Sequence, residues 1–202
     1  MNKPRQSDLI NTMSDKEVTF HLVLTQVIIV CLSIIGSWLL FDSYWNSWAS
    51  QFHPSMREIL IYGLIPGLIV VAIDLILMKV VPPKYYDDGG INMKVFKNRS
   101  VRGIVGITLL VAVSEEMLFR GVLHAEFGYY IASITFAVMH IRYLKKFVLL
   151  ISVLFVSFFI GYMYEITGNL LATMSAHFVI DLLLAFYIRF KMGGRMPALH
   201  VK

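Results

Sequence analysis

Long apolar runs alternate with short polar, basic or Gly/Pro-containing breaks along the chain. The first run extends from Thr19 to Phe41, longer than the roughly 20 residues a helix needs to cross a bilayer. Tyr44, Trp45 and Trp48 follow it, where an interfacial aromatic belt is expected. The second run extends from Ile59 to Val81, with a kink predicted at Pro66-Gly67 and a stop at Pro82-Pro83. The stretch "KYYDDGGINMKVFKNRS" reads as a polar, basic loop, part of which is expected to lie flat in the interface. A third run begins near Val101 and continues to Phe127, with Gly128 as the break. The fourth, Tyr129 to Ile141, is short for a full span. The fifth is Phe147 to Tyr164, closed by the turn "EITGN", and the sixth is Leu170 to Phe190. The pattern predicts an all-α polytopic membrane protein, a bundle of about six transmembrane helices, with no internal repeat and no low-complexity tract.

Composition agrees with this reading. The 202 residues are 57% hydrophobic, with a mean hydropathy of +0.70, and no soluble domain of useful size fits beside the runs. The net charge is +5. In a soluble protein that would suggest nucleic acid; in a membrane protein it is the positive-inside bias. Sixteen of the 18 Lys and Arg fall in the N-terminal tail, the segment from Lys79 to Arg102, the loop after the fourth run and the C-terminal tail. Only Arg57 and Arg120 lie on the other side. Both termini are therefore expected in the cytoplasm. The polar first eighteen residues lack the features of a cleaved signal peptide, so the first run is expected to remain as an anchor. Cys31, the single cysteine, is expected to pack as a small apolar residue. The organisation expected is a tail (1–18), two helices and a basic loop (19–100), a helical core (101–190) and a second tail (191–202).

Charged residues inside the third run change the picture. "VSEEMLFRGVL" carries Glu115, Glu116 and Arg120, and a charge in hydrocarbon costs about 3 kcal/mol on insertion scales. Glu116 and Arg120 are four apart and share a helix face. Glu115 lies about 100° around the helix. One carboxylate can thus be neutralised while its neighbour titrates. The alternative is a wet charge cluster at a helix end. On the fourth run Phe136 and His140 are four apart, although a lone histidine at a helix end is commonly interfacial. On the sixth, His177 and Asp181 share a face, where a helix–helix hydrogen bond is the plainer reading. Asp74 is expected to pair with Lys79 or to snorkel, and His21, His53, His124 and His200 receive no role. A carboxylate with two imidazoles suits water activation with oxyanion stabilisation, and equally a zinc site.

Glu115-Glu116 with Arg120, then Phe136 with His140, then His177 with Asp181 together resemble the motifs of the CAAX protease and bacteriocin-processing family, also called CPBP or Abi. The eukaryotic Ras-converting CAAX endopeptidase belongs to the same superfamily. The resemblance covers about Val101 to Phe190. It implies a glutamate-type intramembrane endopeptidase acting on a membrane-bound or lipidated peptide or protein. Glu115 and His140 would activate water, and His177 and Asp181 would form the oxyanion site. Glu116, Arg120 and Phe136 would shape the pocket. The family pattern commonly has Asn where this chain has Asp181, and an ionised aspartate cannot donate to an oxyanion, so it is expected to orient His177 instead. The resemblance implies peptide and lipid as partners, not nucleic acid, no metal cofactor, a bacterial plasma membrane, and roles in peptide maturation or bacteriocin self-immunity.

Two alternatives use the same residues or none. A zinc metalloprotease would take Glu115, His140 and His177 as ligands, but the chain lacks H-E-x-x-H. A non-catalytic scaffold or immunity protein would not require Glu115. A proton-coupled transporter is disfavoured by the lack of a repeat. One tension is internal to the sequence. An upright third helix puts Glu115 roughly 20 Å from its cytoplasmic end, whereas His140 lies beside Arg142 at the edge. Their pairing requires the "HIRYLKK" segment to dip into a wet cavity or the third helix to tilt. The topology has a direct test. Cysteine labelling from outside reaches Ser50→Cys and misses Lys94→Cys; the reverse pattern sinks the six-helix reading.

Overall fold

The computed structural model describes residues 12–86, 88–140, 143 and 146–192. The tails at 1–11 and 193–202, and positions 141, 142, 144 and 145 of "HIRYLKK", lie outside them. Among the described residues every regular element is helical. Helix α1 is Asp15–Leu40, α2 Tyr44–Gln51, α3 Met56–Val80, α4 Ile91–Phe96 and α5 residues 101–127. Helix α6 is Tyr129–Met139, α7 Phe147–Thr167 and α8 Leu170–Phe190. Helices α1, α3, α7 and α8 are long and apolar enough to cross a membrane. Helix α5 spans roughly 40 Å at 1.5 Å per residue but carries the charged motif. Helix α6, at 11 residues, is too short to cross alone. The protein is an integral membrane protein built as an all-α bundle.

Local sequence sets the boundaries. Helix α1 starts four residues before its apolar run because Ser14 and Glu17 form a capping box: the Glu17 amide donates to Ser14 Oγ at 3.3 Å and the Ser14 amide to Glu17 Oε2 at 2.6 Å. In α3 the turn Ile59–Leu64 is π-helical and precedes Pro66. The proline ring has no N–H to continue the ladder, and the widened turn absorbs the defect. A second π-helical turn, Met117–His124, interrupts α5 and carries Arg120. Between α5 and α6, Gly128 adopts φ 85, a conformation that a side chain would strain.

The interior combines apolar clusters with buried polar and charged groups. The largest fully buried side chains include Arg120, Glu116, Asn169, Thr108 and Thr173, while Phe20, Ile28, Ile35 and Ile76 are exposed. Without water outside, apolar side chains lose nothing by facing lipid, and polar ones must find partners inside. Helix α8 is central, packing on α3, α5 and α7, while α1 lies along α5 and α6 packs between α5 and α7. The contact of α3 with α8 depends on Gly63 and Gly67. A Cβ would stand 2.7 Å from the Ala172 carbonyl oxygen at the first and 2.9 Å from that of Ala176 at the second. A small-residue stripe on each helix lets the backbones meet.

One expectation is corrected and one residue gains contacts. Trp48 is packed against the protein: its Nε1 donates to Ser37 Oγ at 3.1 Å, and its ring packs so closely on Gly121 that a Cβ there would come within 2.8 Å. Trp45 is 79% exposed. Cys31 is exposed on α1 rather than packed inside. The end of the bundle opposite the basic loop is closed by polar contacts. Asn169 Nδ2 donates to the His53 carbonyl at 2.8 Å and to Glu58 Oε2 at 2.9 Å, and the Tyr164 hydroxyl to Gln51 Oε1 at 2.7 Å.

Adding one methyl tests the helix contact. Gly63→Ala and Gly67→Ala are expected to destabilise the protein by about 1–3 kcal/mol. Gly106→Ala, where nothing lies within 4 Å, is expected to be neutral or stabilising by up to about 1 kcal/mol. Thermal unfolding in detergent separates them; equal behaviour of the three would contradict the close crossing.

Candidate active site

Glu116 is at the centre of the polar interior, with no exposed surface. Arg120, one turn along α5, donates from Nη1 to Glu116 Oε1 at 3.1 Å. His177 of α8 donates from Nδ1 to the same oxygen at 2.9 Å. A carboxylate only accepts, so the Nδ1 proton faces it. Arg120 is itself 1% exposed and spends its other donors on α7: Nη2 donates to the Ser157 carbonyl at 2.9 Å. The Ser157 hydroxyl donates in turn to the Ser133 carbonyl of α6 at 2.9 Å. One carboxylate and one guanidinium thereby join α5, α6, α7 and α8.

Phe136 of α6 links this group to the remaining imidazole. Its ring centre lies 4.7 Å from Arg120 Cζ, a cation–π distance. It lies 4.8 Å from the centre of the His140 ring and 6.0 Å from that of His177. His140 is half-buried at the end of α6. Its Nδ1 lies 2.9 Å from the Phe136 carbonyl, which assigns the proton to Nδ1 and leaves Nε2 as the acceptor in the neutral ring. Tyr143, buried, stacks on it with centres 5.8 Å apart. His140 is therefore anchored to the same aromatic ring that covers Arg120, although α6 ends at Met139.

Glu115 takes the other side of α5. It is half-buried, in contrast to Glu116. Gln26 of α1 places its Nε2 3.5 Å from Glu115 Oε1. On α8, Asp181 Oδ2 stands 3.6 Å from His177 Nε2. His177 thus has Glu116 hydrogen-bonded at one nitrogen and Asp181 at a longer distance from the other. The closer orienting contact comes from Glu116.

The structure places Glu116, Arg120, Phe136 and His177 in mutual contact, Asp181 beside His177, Glu115 next in chain to Glu116, and His140 against Phe136. Sequence reasoning missed Gln26, Ser114, Ser133 and Ser157, and it missed that Glu116 serves His177 as well as Arg120. Gln26 carried a readable signal, an amide in the middle of "LVLTQVIIVCL". His124, given no role, is buried with its Nε2 2.7 Å from Glu165 Oε2. Among the described residues no group of three His, Cys, Asp or Glu side chains is placed to hold a metal ion.

Comparison with known proteins bears on the same segment. Residues 97–183 match the family model described as Type II CAAX prenyl endopeptidase Rce1-like, a span that includes all seven motif residues. The chain is 50% identical over 134 residues to the uncharacterized protein YpbD of Bacillus subtilis (strain 168), an alignment covering 66% of this chain and 71% of that protein. No solved structure matches. The matched span holds the E-E-x-x-x-R, F-x-x-x-H and H-x-x-x-D residues, of which Glu116, Arg120, Phe136 and His177 are buried together, and the chain belongs to the Rce1-like family of CAAX-protease-type membrane peptidases.

Proposed function

We propose that this chain is a glutamate-type intramembrane endopeptidase that hydrolyses a peptide bond in a membrane-associated or lipidated peptide or protein. One observation carries the reading: two adjacent glutamates occupy opposite environments. Glu116 is sealed in and bound by Arg120 and His177, while Glu115 is half-buried beside it. A carboxylate held by two donors is a fixed charge. One that is not so held is freer to bind a water molecule and to exchange a proton.

In the proposed reaction Glu115, acting with His140, removes a proton from water as the water oxygen attacks the scissile carbonyl carbon. The carbonyl electron pair moves onto oxygen. The His177 imidazolium, held at Nδ1 by Glu116, donates from Nε2 to that oxyanion. Asp181, as a carboxylate, accepts and cannot donate, so it balances the His177 charge and the donor is His177 alone. The tetrahedral species collapses, the C–N bond breaks, and the proton taken from water passes to the leaving nitrogen. Arg120 and Phe136 keep the pocket walls in place. The scheme needs no metal. The substrate arrives within the bilayer, in a bacterial plasma membrane with both termini cytoplasmic, and peptide maturation or bacteriocin self-immunity are the roles the family resemblance suggests.

Shared activation of one water has a kinetic signature. Glu115→Ala and His140→Ala are each expected to abolish cleavage, with the double variant no worse than either. His177→Ala is expected to lose about 10²–10³-fold in turnover and to keep a residual rate. Single-turnover cleavage by purified variants checks this, with metal content measured on the same samples. Additive losses at Glu115 and His140 would break the shared-water assignment. Stoichiometric zinc that vanishes from the histidine variants would replace the scheme with a metal-dependent one.

The two glutamates are also separable by stability. Arg120→Ala leaves Glu116 buried without its main counter-charge and is expected to cost about 3–5 kcal/mol, seen as a lower melting temperature and less folded protein. Glu115→Ala is expected to leave the melting temperature near that of the wild type while removing activity.

A further inference from the structure

Gln26 lies in the middle of an apolar membrane helix, 5% exposed, where an unpartnered amide is strongly unfavourable. It precedes Glu115 by 89 positions and lies outside residues 97–183, the span that matches the family model. Helix α1 packs along α5, and the amide meets two consecutive residues there. Ser114 Oγ stands 2.5 Å from Gln26 Oε1, and Gln26 Nε2 stands 3.5 Å from Glu115 Oε1.

These contacts fix which way the amide points. An ionised Glu115 only accepts, so the –NH2 end must face it and the carbonyl end must face Ser114. The Ser114 hydroxyl also lies 2.7 Å from the Leu110 carbonyl and 3.1 Å from that of Val111. It has one proton, and the shortest of its three contacts is to Gln26. Ser114 thus clamps the amide, and the amide turns its donor on Glu115. At 3.5 Å that bond is long in the resting protein, as bonds at a site awaiting substrate commonly are.

We infer that Gln26 is a positioning residue for the general base, holding the Glu115 carboxylate in one rotamer, so that helix α1 completes a site whose other members lie in the matched core. The inference rests on the reading of Glu115 as the base. Side chains of two flexible bonds and more lose their effectiveness when free to rotate, because only one orientation is a near-attack geometry. Glu116 needs no such help, since Arg120 and His177 hold it. Glu115 has neither, and Gln26 is the side chain that α1 supplies in their stead.

The test uses the full chain in lipid nanodiscs and three variants. Gln26→Leu removes the amide at similar volume. Gln26→Glu keeps the shape and replaces the donor by an acceptor. Ser114→Ala leaves the amide but unclamps it, and it carries the test if the Gln26 variants fail to insert. Infrared difference spectra identify the Glu115 carboxyl and carboxylate bands by their loss in Glu115→Gln. Those bands are expected to shift or broaden in all three variants, and unchanged bands overturn the inference. With a fluorogenic farnesylated peptide as probe, Gln26→Leu is expected to lower kcat about tenfold, the size of one lost hydrogen bond, with KM unchanged. A raised KM at unchanged kcat would make Gln26 a packing or binding residue and overturn the inference. If the wild type cleaves nothing, the peptidase reading falls on its own, and the infrared comparison, which needs no substrate, still decides whether Gln26 holds Glu115.

Discussion

A guanidinium with 1% of its surface exposed in the middle of a membrane bundle is the constraint that the surrounding structure answers. Arg120 cannot reach a headgroup region from there and cannot shed its charge. Its survival requires acceptors on every side, and each acceptor commits a helix. Glu116 comes from its own helix, the Ser157 carbonyl from α7, and the face of Phe136 from α6. Ser157 then reaches the Ser133 carbonyl, drawing α6 and α7 together where Gly161 leaves a Cβ only 2.8 Å from Ser133 Oγ. The π-helical turn Met117–His124 carries Arg120, and such turns recur where a helix has to present a side chain off its regular register. Helix packing here is arranged around a charge, as expected where apolar surface gains nothing by leaving lipid.

That arrangement is also what separates the two glutamates. Glu116 lies on the face that meets Arg120 and α8. Glu115, one residue earlier, is rotated away toward α1. The same helix therefore presents one carboxylate fully enclosed and one half-buried. On the proposed assignment, the anion has a second task, since its Oε1 also receives His177 Nδ1. Holding an imidazole by one nitrogen fixes where the other points. The charges then alternate through the site, from Arg120 to Glu116 to His177 to Asp181, so that no member is buried beside a like charge without an opposite one adjoining.

Much of this was legible in the sequence because same-helix neighbours are set by spacing. The Glu116–Arg120, Phe136–His140 and His177–Asp181 pairs are all four apart, and all three are in contact in the structure. Run boundaries came within a few residues, and where they slipped the cause was local. Helix α1 begins early because Ser14 and Glu17 cap it, and α7 continues to Thr167 because nothing before Gly168, at φ 59, breaks it. Contacts between helices were not legible. Glu116 to His177 spans 61 positions and Gln26 to Glu115 spans 89, and no periodicity carries that information. The packing of Trp48 was hidden for the same reason: Gly121, which its ring covers, is brought beside it only by the fold. The approach of "GLIPG" to Ala172 and Ala176 was readable as a small-residue stripe, and it was read only as a kink.

The tension over depth bears on α6. A helix of 11 residues covers roughly 16 Å, about half the hydrocarbon thickness, so its end is not obliged to sit at a membrane surface. His140 closes α6 against Phe136, and Tyr143 is buried against His140 in turn. A helix that stops inside a bundle leaves its last carbonyls and the following backbone without helical partners, and such backbone is tolerated at membrane depth only where protein or water satisfies it. The broken end that makes α6 a poor membrane span is therefore the kind of place where water can enter. On the proposed reading a hydrolase needs such entry while Arg120 and Glu116 stay dry, and a short helix set between two long ones is compatible with both conditions.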